Sequence, residues 1–163
     1  MTTDQIIAVA AMHEALSLAR FDQEVGAIPA SLLERRRWKI HKAVFPVFDL
    51  EFHANEQDDR PGLRLLMNCD QWDELPPSIV LLRPDGTRVL KLNSPKHGSG
   101  TGVFHAGPHP SAGGTFVCTR GSREYHTHPN HTADLWEHIK RTSGYDLGGI
   151  ITRIWNAWMK DRP

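Results

Sequence analysis

The chain has few cysteines and no long apolar segment. Cys69 and Cys118 are the only two cysteines among its 163 residues, and no segment reaches the roughly 18 apolar residues that a membrane-spanning helix needs. An acid and a histidine lie near the start, where a signal peptide would carry a basic head and a longer apolar run. We therefore expect a cytoplasmic protein with no membrane partner and no structural disulfide.

The chain also lacks an excess of charge of either sign. Lys plus Arg and Asp plus Glu both number 19, so no overall field favours binding to nucleic acid. This length supports one ordinary hydrophobic core. We expect a single domain over residues 1–163 that recognises its partners locally.

Helical patterns dominate the first part of the chain, residues 1–42. An amphipathic helix is predicted over residues 4–20, with Thr2-x-x-Gln5 as a capping box and an apolar side that packs on the core. A second capping box, Ser31-x-x-Glu34, predicts a short basic helix from Leu32 to about His41. Its cations are either a solvated face or a docking surface for an acidic protein.

The pattern then changes to a strand meander over residues 43–92. Strands are predicted at 43–54, 63–68, 78–82 and 87–92, with Pro46 marking an edge or a bulge in the first of them. The connections are too short for helical crossovers, so the strands should run antiparallel. Residues 93–114, which are rich in Gly, Pro and His, are predicted to form a long loop.

Two helices are predicted in residues 132–163. Thr132 or Asp134 caps the first, which runs to Gly144, and the second covers residues 146–158. The whole chain is therefore predicted to be α+β, an antiparallel β-meander with N-terminal and C-terminal helices.

Candidate chemistry is concentrated in residues 115–131. An extended segment from Glu124 would place Glu124, His126 and His128 on one face, because alternate side chains of a strand point the same way. The turn residues Gly121 and Ser122 would fold a strand carrying Cys118 back against this one. The spacing therefore predicts a hairpin with four metal ligands, Cys118, Glu124, His126 and His128.

Zinc is the ion that fits this set best, because thiolate and imidazole ligands suit a borderline-soft metal. If Glu124 binds the ion, the site is closed and structural. If Glu124 instead orients a histidine or a bound water, the remaining ligands would suit hydrolysis. Three loop histidines, His97, His105 and His109, are further candidates for ligands or catalytic groups.

The order of Cys118, Glu124, His126 and His128 resembles the signature of the predicted metal-binding CEHH family. Those small bacterial proteins occur in gene neighbourhoods with ubiquitin-like proteins, E1-like activating enzymes, E2-like proteins and JAB peptidases. The resemblance is strongest over residues 115–131. It implies a partner from the same operon, namely an E1-like, E2-like or ubiquitin-like protein.

A second resemblance is to the fold of E2 ubiquitin-conjugating enzymes and RWD domains. Leu75-Pro76-Pro77 leads into a strand as the double proline of E2 proteins does, and His128-Pro129-Asn130 is similar to their His-Pro-Asn tripeptide. E2 enzymes place the catalytic cysteine after that tripeptide, whereas this chain has none after Cys118.

Together the two resemblances imply an E2-like zinc-binding accessory or adaptor protein of a ubiquitin-like conjugation pathway, without E2 catalysis. Two enzymatic alternatives stay open. One is a zinc-dependent hydrolase that processes the ubiquitin-like protein, with Glu124 as general base. The other is a conjugating enzyme that uses Cys118 as nucleophile.

Overall fold

The computed structural model describes residues 1–90, 102–107 and 109–160. Four α-helices and six strands follow one another in the order α1 (Thr3–Gly26), α2 (Ala30–Arg36), β1 (Trp38–Val44), β2 (Val47–Phe52), β3 (Leu63–Asn68), β4 (Ser78–Leu82), β5 (Phe104–His105), β6 (Phe116–Val117), α3 (Arg123–Thr127) and α4 (Leu147–Lys160). Two short 3₁₀ helices, Pro129–His131 and Trp136–His138, lie between α3 and α4. No helix in these ranges is long and apolar enough to cross a membrane.

The first four strands form one antiparallel sheet in the order β1-β2-β3-β4. The central pairs place Phe48 opposite Met67 and Leu65 opposite Leu81. Strands β5 and β6 form a separate two-stranded sheet. The α+β prediction of an antiparallel meander with helices at both ends is therefore confirmed, and the bounds of β3 and β4 coincide with the predicted ones.

The core lies between one face of the sheet and the two long helices. Phe21 of α1 packs edge-on against Phe48, and Trp158 of α4 packs against Phe52 with ring centroids 5.6 Å apart. The apolar side of α4 buries five residues, Leu147, Ile150, Ile151, Ile154 and Trp158. Each such side chain contributes roughly 1.5–3 kcal/mol on burial, so the C-terminal helix predicted at 146–158 is both confirmed and central to stability.

The predicted helix from Leu32 to His41 is wrong in its second half. Helix α2 ends at Arg36, Arg37 adopts the left-handed conformation with φ 53°, and β1 begins at Trp38. Burial of Trp38 against Phe52 and Trp155 explains the change, because these long-range contacts outweigh local helix preference. The Ser31 capping box is also absent, since α2 begins after Pro29 with no side-chain cap.

The single strand predicted over residues 43–54 is two strands, β1 and β2, joined by a turn at Phe45 and Pro46. In the strand predicted over residues 87–92, Arg88 forms one isolated bridge to Leu82, and residues 91 and 92 lie outside the described residues.

The helix predicted to reach Gly144 is only the 3₁₀ turn at Trp136–His138. Trp136 is buried there against Trp72, and that contact sets the local backbone.

Helix α1 has the predicted Thr2–Gln5 capping box, with both reciprocal hydrogen bonds formed. Its predicted packing is wrong for the first half of the helix. Residues 1–12 are all exposed, and only Ser17 and Phe21 are buried. The helix therefore reaches the core with its C-terminal half alone.

Candidate functional site

The segment from β6 to Asp134 lies at the free edge of β4. Helix α3 begins after Ser122, whose hydroxyl accepts from the Tyr125 amide and donates to the Val117 carbonyl oxygen at 2.6 Å. The preceding Gly121 packs against Ile150, where an added Cβ would lie 2.6 Å from a side-chain carbon. A glycine is therefore needed for the close approach of this segment to α4.

The predicted hairpin at residues 115–131 is wrong, because residues 123–127 form α3 and not a strand. On a helix, residues two apart point in nearly opposite directions. Glu124 and His126 therefore point away from each other, and the predicted common face of Glu124, His126 and His128 does not form. Ser122 is the N-cap of α3 and not part of a hairpin turn.

The Glu124 side chain points toward the sheet. Its carboxylate accepts a hydrogen bond from the Ser78 hydroxyl at 2.5 Å and from the Ile79 amide at 3.2 and 3.1 Å. The residue is only 8% exposed, and burial raises the pKa of its carboxyl above the usual range although these bonds act to lower it. Both oxygens are thus engaged in holding α3 against β4.

The His126 ring bridges two backbone carbonyls. Its Nδ1 lies 2.7 Å from the Asp134 oxygen and its Nε2 lies 2.6 Å from the Arg120 oxygen. In this arrangement both ring nitrogens face backbone carbonyl oxygens, so neither is directed at a metal site.

Asp134 reinforces the same bridge. Its carboxylate accepts from the Arg120 guanidinium at 2.5 and 2.7 Å and from the Tyr125 hydroxyl at 2.9 Å. The hydrogen bonds from Arg120, chief among these causes, lower the pKa of Asp134 to about 2. Residues 120–134 therefore form a compact loop whose ends are fastened by Asp134 and His126.

Cys118 lies beside a histidine that was not among its predicted partners. Its Sγ is 3.9 Å from Nε2 of His131, and the His131 ring stacks on Tyr125 with centroids 4.0 Å apart. His128 is next to His131, at a ring-centroid distance of 5.5 Å. The spacing His128-x-x-His131 was the available signal, because residues three apart share one side of a helical turn.

Two of the predicted loop histidines approach the same place. The rings of His105 and His109 lie 6.4 and 5.8 Å from the ring of His128. We call these two residues together with His128 and His131 the histidine cluster. His109 is anchored, because its Nε2 donates to the Glu124 carbonyl oxygen at 2.8 Å and its Nδ1 accepts from Ser111. His97 lies outside the described residues.

The cluster affects the protonation of its central member. Desolvation, followed by the charges of His131, His109 and His105, lowers the pKa of His128. Burial likewise raises the pKa of the half-buried Cys118 thiol. Both effects favour the neutral side chains.

Of the predicted ligands, Cys118 and His128 each lie beside His131, whereas Glu124 and His126 are directed elsewhere. Within residues 1–90, 102–107 and 109–160, no three His, Cys, Asp or Glu side chains are grouped so that they could hold a metal ion. The four-ligand site therefore stays a prediction. A thiolate and an imidazole bound to one tetrahedral zinc lie about 3.5 Å apart, so the Cys118–His131 pair is close to that separation.

Comparison of the sequence with protein-family models and with curated proteins found no match.

Proposed function

We propose that the protein is a zinc-binding accessory or adaptor protein of a bacterial ubiquitin-like conjugation pathway, with an E2/RWD-like fold. The observation that carries the zinc proposal is the 3.9 Å contact between Cys118 Sγ and His131 Nε2. A thiol facing imidazoles is the mixed sulfur and nitrogen donor set that zinc prefers. The pathway and its E1-like, E2-like or ubiquitin-like partner rest on the sequence resemblance.

In this proposal the ion is held first by Cys118 and His131, and His128 is the nearest further donor. Small side-chain rotations would bring the His128 ring toward the ion, because it lies 5.5 Å from the His131 ring. Glu124 and His126 act as positioning residues, since they fasten α3 and the loop that presents His131. This differs from the predicted set, in which both of them bind the metal.

An accessory role is consistent with the protonation of the Cys118 thiol. Burial raises the pKa of Cys118, and a thiol with a raised pKa has little thiolate at neutral pH to act as a nucleophile. A bound metal ion would recover the thiolate but occupy it at the same time. The sulfur would then stabilise structure and not carry a thioester.

Zinc titration of purified apoprotein against a chromogenic chelator tests this assignment. We expect one zinc ion per chain, at least tenfold weaker binding in Cys118→Ser and His131→Ala, and unchanged binding in the control His138→Ala, whose histidine is exposed. If Glu124→Gln loses zinc and His131→Ala keeps it, the predicted four-residue set is the correct one. Absence of zinc binding in the wild type would remove the metal proposal altogether.

The adaptor role needs its own test, because zinc could bind without any role in conjugation. The zinc-loaded protein should bind one of the co-encoded E1-like, E2-like or ubiquitin-like proteins in a calorimetric titration. Loss of zinc from the Cys118→Ser variant should weaken that binding if the site presents the interface. Failure to bind any of these proteins would contradict the adaptor role and leave the zinc result standing.

The same contact favours one alternative, a conjugating enzyme with Cys118 as nucleophile. His131 is close enough to take the thiol proton, as paired histidines do in cysteine enzymes. Cys118 would attack the thioester carbonyl of an E1-bound ubiquitin-like protein, and the E1 cysteine would leave as thiolate. A reducible adduct that disappears in Cys118→Ala would establish this. The hydrolase alternative has no such support, because the Glu124 carboxylate faces β4.

A further inference from the structure

The first half of α1 presents an apolar surface that the described residues leave exposed. Eleven large apolar side chains are exposed in the described structure, and seven of them lie between residues 1 and 18. These seven are Met1, Ile6, Ile7, Val9, Met12, Leu16 and Leu18. An apolar concentration of this kind marks an interaction site, because scattered single residues are the ordinary pattern of a monomer surface.

The C-terminal half of the same helix is firmly anchored. Phe21 is 1% exposed and packs against Phe45 and Phe48. The Glu24 carboxylate accepts from the Trp72 indole at 3.1 Å and from the Leu147 amide at 2.8 Å. The exposed first half, which we call the arm (residues 1–12), therefore projects in a fixed direction, by roughly 15 Å at 1.5 Å per residue.

The apolar residues of the arm continue into the anchored half along one stripe. Ile6, Val9, His13 and Leu16 follow one another at intervals of three, four and three residues, which is the spacing of the contact line between paired helices. Ile6 is 55% exposed, Val9 39% and Leu16 47%. The stripe has the pattern of a helix–helix contact, yet its three apolar members stay exposed within the described residues, while His13 lies 3.5 Å from Glu74 of its own chain.

We infer that the partner is the α1 helix of a second copy of this chain, paired antiparallel. From Met1 to Ala19 the charged side chains are Asp4 and Glu14, with no Lys or Arg. This surface therefore offers no Lys or Arg side chain to a lipid headgroup, a nucleic acid or an acidic protein. The apolar stripe is complementary to the same stripe on a second copy, with the two acidic side chains outside the contact.

An antiparallel register pairs the apolar residues of the two helices and keeps the acidic side chains apart. Setting Ile6 against the partner's Leu16 also sets Val9 against the partner's His13. Asp4 and Glu14 each lie two residues before a stripe residue, Ile6 and Leu16, so both acidic side chains point away from the contact. Antiparallel packing further opposes the two helix dipoles, which is their favourable arrangement.

The area available is enough for a reversible dimer. A side chain of this class removes on the order of 80 Å² of apolar area when it is covered. Ile6, Val9, Met12 and Leu16, with the alanines between them, give roughly 500 Å² per copy and roughly 1,000 Å² in total. That total is near the lower limit for specific interfaces, so we expect dissociation in the micromolar range.

Sedimentation equilibrium of the full chain over a range of concentrations tests the inference. The wild type should change from monomer to dimer with rising concentration. The double variant Ile6→Glu/Leu16→Glu should raise the dissociation constant at least tenfold. The matched control Val44→Glu adds the same charge at another exposed apolar residue, 62% exposed in β1, and should leave dimerisation unchanged.

Two results would overturn the inference: a wild type that stays monomeric at several hundred micromolar, or a double variant that dimerises as the wild type does. Hydrogen exchange supplies a second measurement that does not need a variant. A ten-residue helix without a packing partner is marginal in water, so amides of the arm should exchange rapidly in dilute protein and slowly in concentrated protein. Equal exchange at both concentrations would contradict the pairing.

Discussion

The Glu124 carboxylate accepts a hydrogen bond from the Ile79 backbone amide, at 3.2 and 3.1 Å to its two oxygens. Ile79 lies in β4, the last strand of the sheet, on the edge that faces away from β3. The Arg123 amide donates to the Pro77 carbonyl oxygen at 2.9 Å beside it. The start of α3 therefore covers a sheet edge that would otherwise present unpaired backbone groups.

Glu124→Ala should destabilise the fold by about 2 kcal/mol, because it leaves the buried Ile79 amide without an acceptor. Urea unfolding followed by circular dichroism measures this loss. Glu56→Ala is the control, since Glu56 is exposed, and its free energy of unfolding should stay within about 0.5 kcal/mol of the wild type. Equal stability of the two variants would show that the edge contact contributes nothing.

Glu124→Gln should change how stability depends on pH. The pKa of Glu124 is raised in the folded protein, mainly because the carboxyl is buried. Folding therefore favours the protonated carboxyl. This contribution is fully present below the unfolded pKa of about 4.3 and is lost as pH rises through the folded pKa. We therefore expect the stability of the variant relative to the wild type to increase as pH rises from about 4 to 7. A constant difference between the two proteins across that range would contradict the raised pKa.

The two cysteines should differ in reactivity. Cys69 is fully buried and burial raises the pKa of its thiol to about 12, whereas Cys118 is half-buried. Only the thiolate attacks an alkylating reagent, so iodoacetamide should label Cys118 in the native protein and Cys69 only after unfolding. Peptide mass mapping locates the label, and Cys118→Ser is the control that should abolish native labelling. Equal labelling of Cys69 in the native state would contradict the described core.

His126→Ala should lower the stability of the fold even when no metal ion is present. The change leaves the Arg120 and Asp134 carbonyl oxygens without their donor and should cost about 1–2 kcal/mol in the absence of any metal ion. Thermal unfolding in a chelating buffer measures it. His138→Ala, at an exposed position, is the matched control and should leave the melting temperature unchanged. A destabilisation seen only when zinc is present would instead assign His126 to the metal.

The sheet and α4 could be predicted where a local pattern and a stop signal coincide. Strand β4 is an apolar segment between Pro77 and the turn at Pro84–Gly86, and α4 carries a long helical stripe that begins after Asp146. Strand β1 could not be predicted in the same way, because its first residue is fixed by a distant partner. Trp38 packs on Trp155, which lies far along the chain.

In the candidate site, too, local sequence predicts some features and not others. Cys118, His128 and their neighbourhood could be located, because cysteine and histidines rarely occur so close together in sequence. Their geometry could not be predicted, because the five residues of α3 are too few for a period of two to be told from a period of 3.6. The side chain that orients Glu124 belongs to Ser78, in a different element. Local spacing carries no information about that contact.

The contact between His126 and Trp136 gives this segment an optical property. The two rings meet edge to face with centroids 5.9 Å apart, and the Trp136 indole is buried. Indole emission responds to the groups packed against the ring, so Trp136 reports the position of His126 from inside the protein. Rearrangement of residues 120–134 should therefore change the fluorescence of the unlabelled chain.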